Sequence, residues 1–339
     1  MAIAQTLPRE GLRRIVEDSL THLLRLIRPD GRFVYAHPLG APDRPVEGYN
    51  MLRHCGTLWF MLRAVNDLGL DLPSADRARI ARAVRHAADR MDRPDWLPGP
   101  TLALVTRGAV KTGGIGLALV MLSEYRRAAA LPRDATPQRL DDTIAALAAY
   151  GLAQREGHDF HHKRQFADGA VLPFRSDYYT GELLLGLFTT ETADPGALAV
   201  TQALLARRYG VAEQSHWMAY ATCEAAERGL VGEERLVGYL TDLISDILGR
   251  DTYRGRGAST PIACRTEALT RFALLCDRWP GRFPEALRTA ALAAADQNLA
   301  LQLDWYADGQ FCRGDGDDTV QIDYIQHNAT AFLNRWLCR

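Results

Sequence analysis

Apolar residues recur every three to four positions along most of the chain and fall into twelve segments: 8–28, 48–69, 74–92, 113–130, 137–156, 180–191, 195–209, 215–229, 233–249, 262–279, 283–303 and 321–337. That period is the mark of an amphipathic helix. Ser74 as an N-cap, Pro137 after Thr136 and Pro195 after Asp194 punctuate three of the helix starts. The links alternate in character. Those from an odd to an even helix are the elaborated set (29–47, 93–112, 157–179, 210–214, 250–261 and 304–320), whereas the even-to-odd links, such as Leu70 to Pro73 and Pro280 to Arg282, are plain and short. Each elaborated link runs into a helix whose opening turn is polar or aromatic where a buried helix should be apolar. The six junctions lie at Gly48-Tyr49-Asn50-Met51-Leu52-Arg53-His54, Lys111-Thr112-Gly113-Gly114, Asp177-Tyr178-Tyr179-Thr180-Gly181-Glu182, Ser215-His216-Trp217-Met218, Cys264-Arg265-Thr266-Glu267 and Asp323-Tyr324-Ile325-Gln326-His327-Asn328. Twelve helices paired this way predict an all-α, single-domain (α/α)6 toroid over residues 1–339, with short β-like loops at one end. The even helices form its inner ring, and their N-termini converge on one funnel. Binding residues concentrate on loops held by a rigid scaffold, so the elaborated end is the expected functional one.

Three elaborated links share a form. Pro29-Asp30-Gly31-Arg32-Phe33, Ala167-Asp168-Gly169-Ala170-Val171 and Ala307-Asp308-Gly309-Gln310-Phe311 each set an Asp-Gly turn before a short extended run. In these helix-pair repeats with Asp-Gly-x-Phe links, the chain resembles the six-hairpin glycosidase-type superfamily, which includes unsaturated glucuronyl hydrolases, N-acylglucosamine epimerases and uronyl-epimerase toroid domains. The resemblance implies a carbohydrate-active enzyme, a hydrolase, lyase or epimerase of polysaccharide or glycan metabolism. A non-catalytic glycan-binding or assembly protein of a polysaccharide pathway is the reading from a different class.

Composition narrows the partners. Apolar residues make up 47% and charged residues 24% of the 339, enough for a large core. The net charge is -1 and the Lys and Arg residues are scattered, which argues against a nucleic-acid surface. Pro8, Arg9 and Glu10 interrupt the start where a signal peptide needs an apolar run, and no later stretch would span a membrane, so a cytoplasmic location is expected. Cys55, Cys223, Cys264, Cys276, Cys312 and Cys338 are widely spaced without a CxxC pair and read as reduced thiols. Their spacing gives no support to a metal site from Cys264 or Cys312 with His54, His216 or His327, and neither a metal nor a cofactor is expected. Gly113-Gly114-Ile115-Gly116 lacks the strand and the Gly-Lys-Ser/Thr order of a phosphate loop.

The expected ligand is a small-molecule or oligosaccharide substrate, anionic or rich in hydroxyls. Open helix N-termini offer free N–H groups and partial positive charge, and Arg53, Arg265 and Lys111 add cations able to meet a carboxylate. Carboxylates at the mouth are Glu47, Asp177, Glu182, Glu267 and Asp323. Glu182 and Glu267 are the sharper pair, each set just inside an apolar helix where burial raises a pKa. Asp323 and His327, four residues apart, share a helix face, and a His held by an Asp can act as a general base. His54, His216 and His327 occupy comparable openings of the ring and complete the acid/base candidates. His161-His162 reads as solvated surface or part of a lid. Tyr35, Tyr49, Phe174, Tyr178, Tyr179, Trp217, Trp305, Tyr306, Phe311 and Tyr324 offer stacking faces, and Asn328 a further polar group.

One motif points elsewhere. Asp315-Gly316-Asp317-Asp318-Thr319 resembles the Asp-x-Asp-Asp-Thr pattern of class II terpene cyclases, which are also α/α toroids. That resemblance would make Asp317 the acid that protonates an alkene. Against it, a carbocation cascade needs a dry aromatic cavity, whereas this funnel would carry Arg53, His54, Lys111, Arg265 and Glu267.

Overall fold

The computed structural model describes residues 7–132, 135–136, 139–190 and 193–339. Twelve α-helices run through them: α1 (Arg9–Leu26), α2 (Met51–Leu68), α3 (Ser74–Ala88), α4 (Thr112–Arg127), α5 (Leu140–Leu152), α6 (Tyr179–Thr189), α7 (Pro195–Ala206), α8 (His216–Glu227), α9 (Glu233–Gly249), α10 (Ser259–Arg278), α11 (Glu285–Gln302) and α12 (Ile322–Leu337). The even helices form a closed inner ring in which α2 packs on α4, α4 on α6, α6 on α8, α8 on α10, α10 on α12, and α12 back on α2. Odd helices lie outside: α1, α3, α5, α9 and α11 each pack on an inner helix, and α7 packs on α9. The sequence accounts for the division. Inner helices bury residues on all sides, as α4 does from Thr112 to Tyr125, whereas an outer helix such as α9 buries one stripe, Leu236, Tyr239, Leu240, Leu243, Ile244 and Ile247.

Neighbouring inner helices meet N-terminus to N-terminus. Asp323 at the start of α12 pairs with Arg53 at the start of α2, and Glu267 of α10 bonds His327 of α12. Gly113 of α4 lies where a Cβ would collide with the Glu182 carboxylate of α6, and a Cβ on Gly181 of α6 would meet Trp217 of α8. Gly116 of α4 likewise faces the Glu182 backbone, so glycine lets α4 and α6 pack at backbone distance. All six inner helices therefore point the same way, and their first turns ring one opening.

The elaborated links supply the strands. A four-stranded sheet joins β1 (Ala36–Pro38), β10 (Asp317–Gln321), β9 (Gln310–Gly314) and β8 (Tyr306–Ala307) in that order; a second joins β2 (Met91–Asp92), β3 (Ala103–Thr106), β4 (Ala109–Lys111) and β7 (Lys163–Gln165); β5 (Arg155–Glu156) pairs with β6 (Asp159–Phe160). The strand pairings are antiparallel. The shared Asp-Gly turns place Gly31, Gly169 and Gly309 at φ 81°, 76° and 81°, a region glycine enters without steric cost. Strands β4 and β10 run straight into α4 and α12, which fixes where those two helices open.

Two details of the sequence reading change. Asp194 does cap α7, accepting from the Ala197 N–H ahead of Pro195. Ser74 instead is the first helical residue of α3, and Pro73 stands at the cap without a side-chain bond. Pro137 lies outside the described residues. All six cysteines are free and buried. Among the described residues, no helix is long and apolar enough to cross a membrane.

Candidate active site

Asn50 caps α2 and Ser215 caps α8, but α4, α6, α10 and α12 open without a side-chain cap, leaving backbone N–H groups toward the funnel. Glu267, about two turns into α10 and fully buried, is the centre of the site. Its Oε1 accepts from His327 Nδ1 at 2.7 Å, and its Oε2 accepts from the Tyr220 hydroxyl at 2.9 Å. Burial works against charge on His327, but the neighbouring Cys264 and the Glu267 carboxylate outweigh it and hold the imidazole well above its ordinary range. The His216 ring lies 5.2 Å from that of His327, centroid to centroid, at 83°. His216 is 2% exposed, and neither ring nitrogen has a partner. Burial first, then the charges of His327 and Arg265, push its pKa well below the usual imidazole value. Donor atoms of His216, Cys264, Glu267 and His327 all lie within 4.8 Å of one another.

Glu182 belongs to the same site. Burial pushes its carboxyl up to about 8, opposed by His327 and Lys111, and its Oε2 has no hydrogen-bond partner. Asp323 is buried too. Burial raises its pKa against the pull of Arg53 and His327; its Oδ2 sits 3.1 Å from Arg53 Nε, while its Oδ1 is unpartnered. Three buried groups with free polar atoms, Glu182, His216 and Asp323, thus share the electrostatic influence of His327. Buried polar atoms are rarely left unpaired without a purpose. Aromatic walls complete the funnel. Trp217 lies 4.7 Å from His216 and 6.0 Å from His327 between ring centroids, and the exposed Tyr178 ring 6.1 Å from His216. Tyr179 packs on Phe174, beneath Lys111. Tyr324 is half-buried on α12, and its carbonyl accepts from the Asn328 amide, whose own Oδ1 stays free.

Several expected residues stand elsewhere or do other work. His54 is a core histidine: Nδ1 accepts from the Tyr49 hydroxyl, Nε2 donates to the Ala83 carbonyl, and burial lowers its pKa to about 3. Both nitrogens are satisfied toward α3, so His54 and Tyr49 belong to packing behind the ring. Glu267, and not Asp323, holds His327, because Asp323 turns to Arg53. Arg53 also donates to the Tyr35 hydroxyl and Gln321, and Arg265 donates to Gln214 and the Glu213 carbonyl at the rim, so the two arginines do not form one fork. Lys111 faces Phe174 with no carboxylate in salt-bridge reach among the described residues. His162 is buried rather than solvated, donating to Thr180 and accepting from the Ser176 N–H. Trp305, Tyr306 and Phe311 are taken up by the β8–β9 region, where Trp305 bonds Asp315 and Tyr306 bonds Asp18. Glu47 and Asp177 remain exposed. Asp317 lies at the start of β10, held below the usual carboxylate range by hydrogen bonds with Thr319 and then Arg313. A carboxyl kept ionised in this way carries no proton to give to an alkene.

The residue that sequence reasoning passed over is Tyr220, and Cys264, weighed there with His216 or His327 but given no support by spacing, joins this cluster. Helical spacing carried the signal: Tyr220 lies four residues after His216, and Cys264 three before Glu267, so each shares a face with a residue already singled out.

No protein family and no curated protein matches the chain. Solved structures match its fold. A D-mannose isomerase has a TM-score of 0.68 at 10% identity, with 99% of each chain covered. An unsaturated glucuronyl hydrolase specific for heparin has 0.61 at 11%, with 97% of each covered. A type II terpene cyclase variant from Scytonema, in complex with geranylgeranyl dihydroxybenzoate, has 0.57 at 11%, covering 97% of this chain and 98% of that one. At these identities the likeness is one of architecture alone, and with the closed inner ring it makes the chain an (α/α)6 toroid.

Proposed function

We propose that the chain is a carbohydrate-processing enzyme that moves a proton on a free sugar, as an aldose–ketose isomerase or an epimerase. The observation that carries this reading is the imidazole pair, with one ring bonded to the buried Glu267 and the other, His216, presenting two unpartnered nitrogens 5.2 Å away between centroids. A proton on a carbon next to a carbonyl is removed by one group while another protonates the carbonyl oxygen. His216 has the free lone pair for the first task, and His327 holds a proton through Glu267 for the second. The resulting enediol is reprotonated on the neighbouring carbon, giving the ketose, or on its opposite face, giving the epimer. Glu182, neutral through burial, and Asp323 offer hydrogen bonds to hydroxyls. Trp217 and Tyr178 offer faces for the ring. The D-mannose isomerase likeness supports a hexose-sized substrate, and Lys111 is the cation left to meet an acidic substituent, since Arg53 and Arg265 are engaged.

Incubation with a panel of hexoses, N-acyl hexosamines and uronic acids in deuterated water tests this. Solvent deuterium at the carbon beside the carbonyl, read by NMR, is the expected result, with a loss of about 10²-fold or more in His216→Gln and Glu267→Gln that keep wild-type helicity. Release of new reducing ends from oligosaccharides without exchange would replace this reading with hydrolysis.

A further inference from the structure

We propose that His216, Cys264, Glu267 and His327 form a binding site for one divalent ion of the zinc class, and that the ion and sugar turnover exclude each other. Two imidazoles, a thiol and a carboxylate are the donor types that a borderline-soft ion takes, and hard ions such as magnesium would reject the sulfur. His216 opens α8, Cys264 and Glu267 lie in the second and third turns of α10 and His327 in the second turn of α12, and their ligand atoms lie within 4.8 Å of one another. A tetrahedral zinc ion needs donor separations of roughly 3.3–3.8 Å, given bond lengths near 2.0–2.3 Å. Closure by about an ångström of side-chain rotation therefore suffices. The second observation is His216, whose nitrogens are both unpartnered on a residue 2% exposed; a ligating imidazole would use one of them. The carboxylate is already oriented from behind, since Tyr220 donates to Glu267 Oε2 at 2.9 Å and Asn334 donates to the Tyr220 oxygen at 2.7 Å. Such outer hydrogen bonds fix a metal-ligating group in place. Binding releases the Cys264 thiol proton and the extra proton of the His327 imidazolium to solvent and leaves the oxidation state of the ion unchanged.

Exclusion of turnover rests on the proton-transfer reading above. An ion on His216 and His327 takes the lone pair that the base requires and displaces the proton that the acid must give. Cys264 supports the charge on His327, so the two roles are told apart on the wild-type chain by adding and removing the ion.

Cobalt(II) titration of the chelator-treated full chain, with no sugar present, tests binding alone. A near-ultraviolet thiolate-to-cobalt charge-transfer band that saturates at one equivalent is expected, absent in Cys264→Ser of unchanged circular dichroism. Affinity should fall about 10-fold or more in Tyr220→Phe through loss of carboxylate orientation. Saturation without a thiolate band, or the same band in Cys264→Ser, would overturn the site. In the sugar assay, one equivalent of zinc should stop wild-type turnover and chelator should restore it. Turnover that persists with the ion bound would overturn the exclusion, and a cobalt band in a chain that turns over no sugar would uphold the site while removing the proton-transfer reading.

Discussion

Replacing Glu182 by Gln should change how stability depends on pH. Native Glu182 keeps its proton to about pH 8, whereas in the unfolded chain the group titrates near 4.5. Between those values unfolding releases a proton, so the contribution of this residue to stability falls as pH rises, by about 1.4 kcal/mol per unit. Across the whole interval the loss is about 5 kcal/mol, an amount comparable to the net stability of many domains. Burial is the leading cause; His327, Lys111 and Tyr179 are the titratable groups whose charges couple to it, the first two opposing the shift. Gln has the size of the protonated acid and no charge to bury. Its variant should therefore match wild type near pH 5 and exceed it progressively through pH 8. Urea unfolding of both proteins at unit steps from pH 5 to pH 9 isolates the effect, because the other titrating groups, including the buried histidines whose stability contribution changes in the opposite sense below about pH 6.5, are common to both. A gap that stays flat with pH would show that Glu182 is ionised in the native funnel, and the account of it as a neutral hydrogen-bonding group would fall.

Other substitutions separate structural from chemical roles. His54→Leu should cost about 1–3 kcal/mol for each of the two partners it strands, Tyr49 and the Ala83 carbonyl, in urea unfolding, and should leave the catalytic rate of the folded fraction unchanged. Tyr220→Phe removes a hydrogen bond to the buried Glu267 and should lower stability by about 1.5–3 kcal/mol in the same assay, the scale of bonds to charged groups. Gly116→Ala drives a methyl into the Glu182 backbone, and a loss of at least about 1–3 kcal/mol in thermal or urea unfolding is expected as α4 is pushed from α6.

Periodicity carried the architecture because an inner helix buried on every side and an outer helix buried along one stripe both repeat at the helical period. The elaborated links then marked the functional end, since a polar first turn on an otherwise apolar helix has little reason to exist except at an opening. Within the funnel, Glu182, Glu267, His216 and His327 were legible one by one. Their pairing was not. Asp323 and His327 satisfy helical spacing, yet the partner of His327 comes from α10, sixty residues away in sequence, because the crossing of inner helices sets Glu267 2.7 Å from the ring and leaves Asp323 for Arg53. His54 shows the converse. It stands at an inner-helix opening like His216, but one step of helical phase turns it outward to α3, and phase at a single residue is finer than an element boundary read from sequence.

The placement of Glu267 also has a cause at the other end of the ring. Its Oε2 is held by Tyr220, whose oxygen accepts from Asn334, whose Oδ1 in turn accepts from Arg63 at 2.9 Å, with Asp67 3.5 Å from the same guanidinium. Arg63 and Asp67 line a cavity of about 600 Å³ near the C-terminal half of the inner helices, together with Glu227, Arg271 and Arg278. Arg271 and Arg278 each meet Glu227 at 2.6 Å. Those charges answer one another, although Arg63 Nη1 and Ser123 Oγ beside them lack a partner, as Glu182 Oε2, His216 and Asp323 Oδ1 do in the funnel. A chain of hydrogen bonds thus runs down the inside of the toroid and joins its two ends. Its effect is to fix the carboxylate that holds His327, so the geometry of the imidazole pair depends on residues well below the opening. In a low-dielectric interior such a chain is rigid because breaking any link strands a buried polar group. His216, the other member of the pair, is held by ring packing against Tyr178, Trp217 and His327 and by no hydrogen bond from its ring.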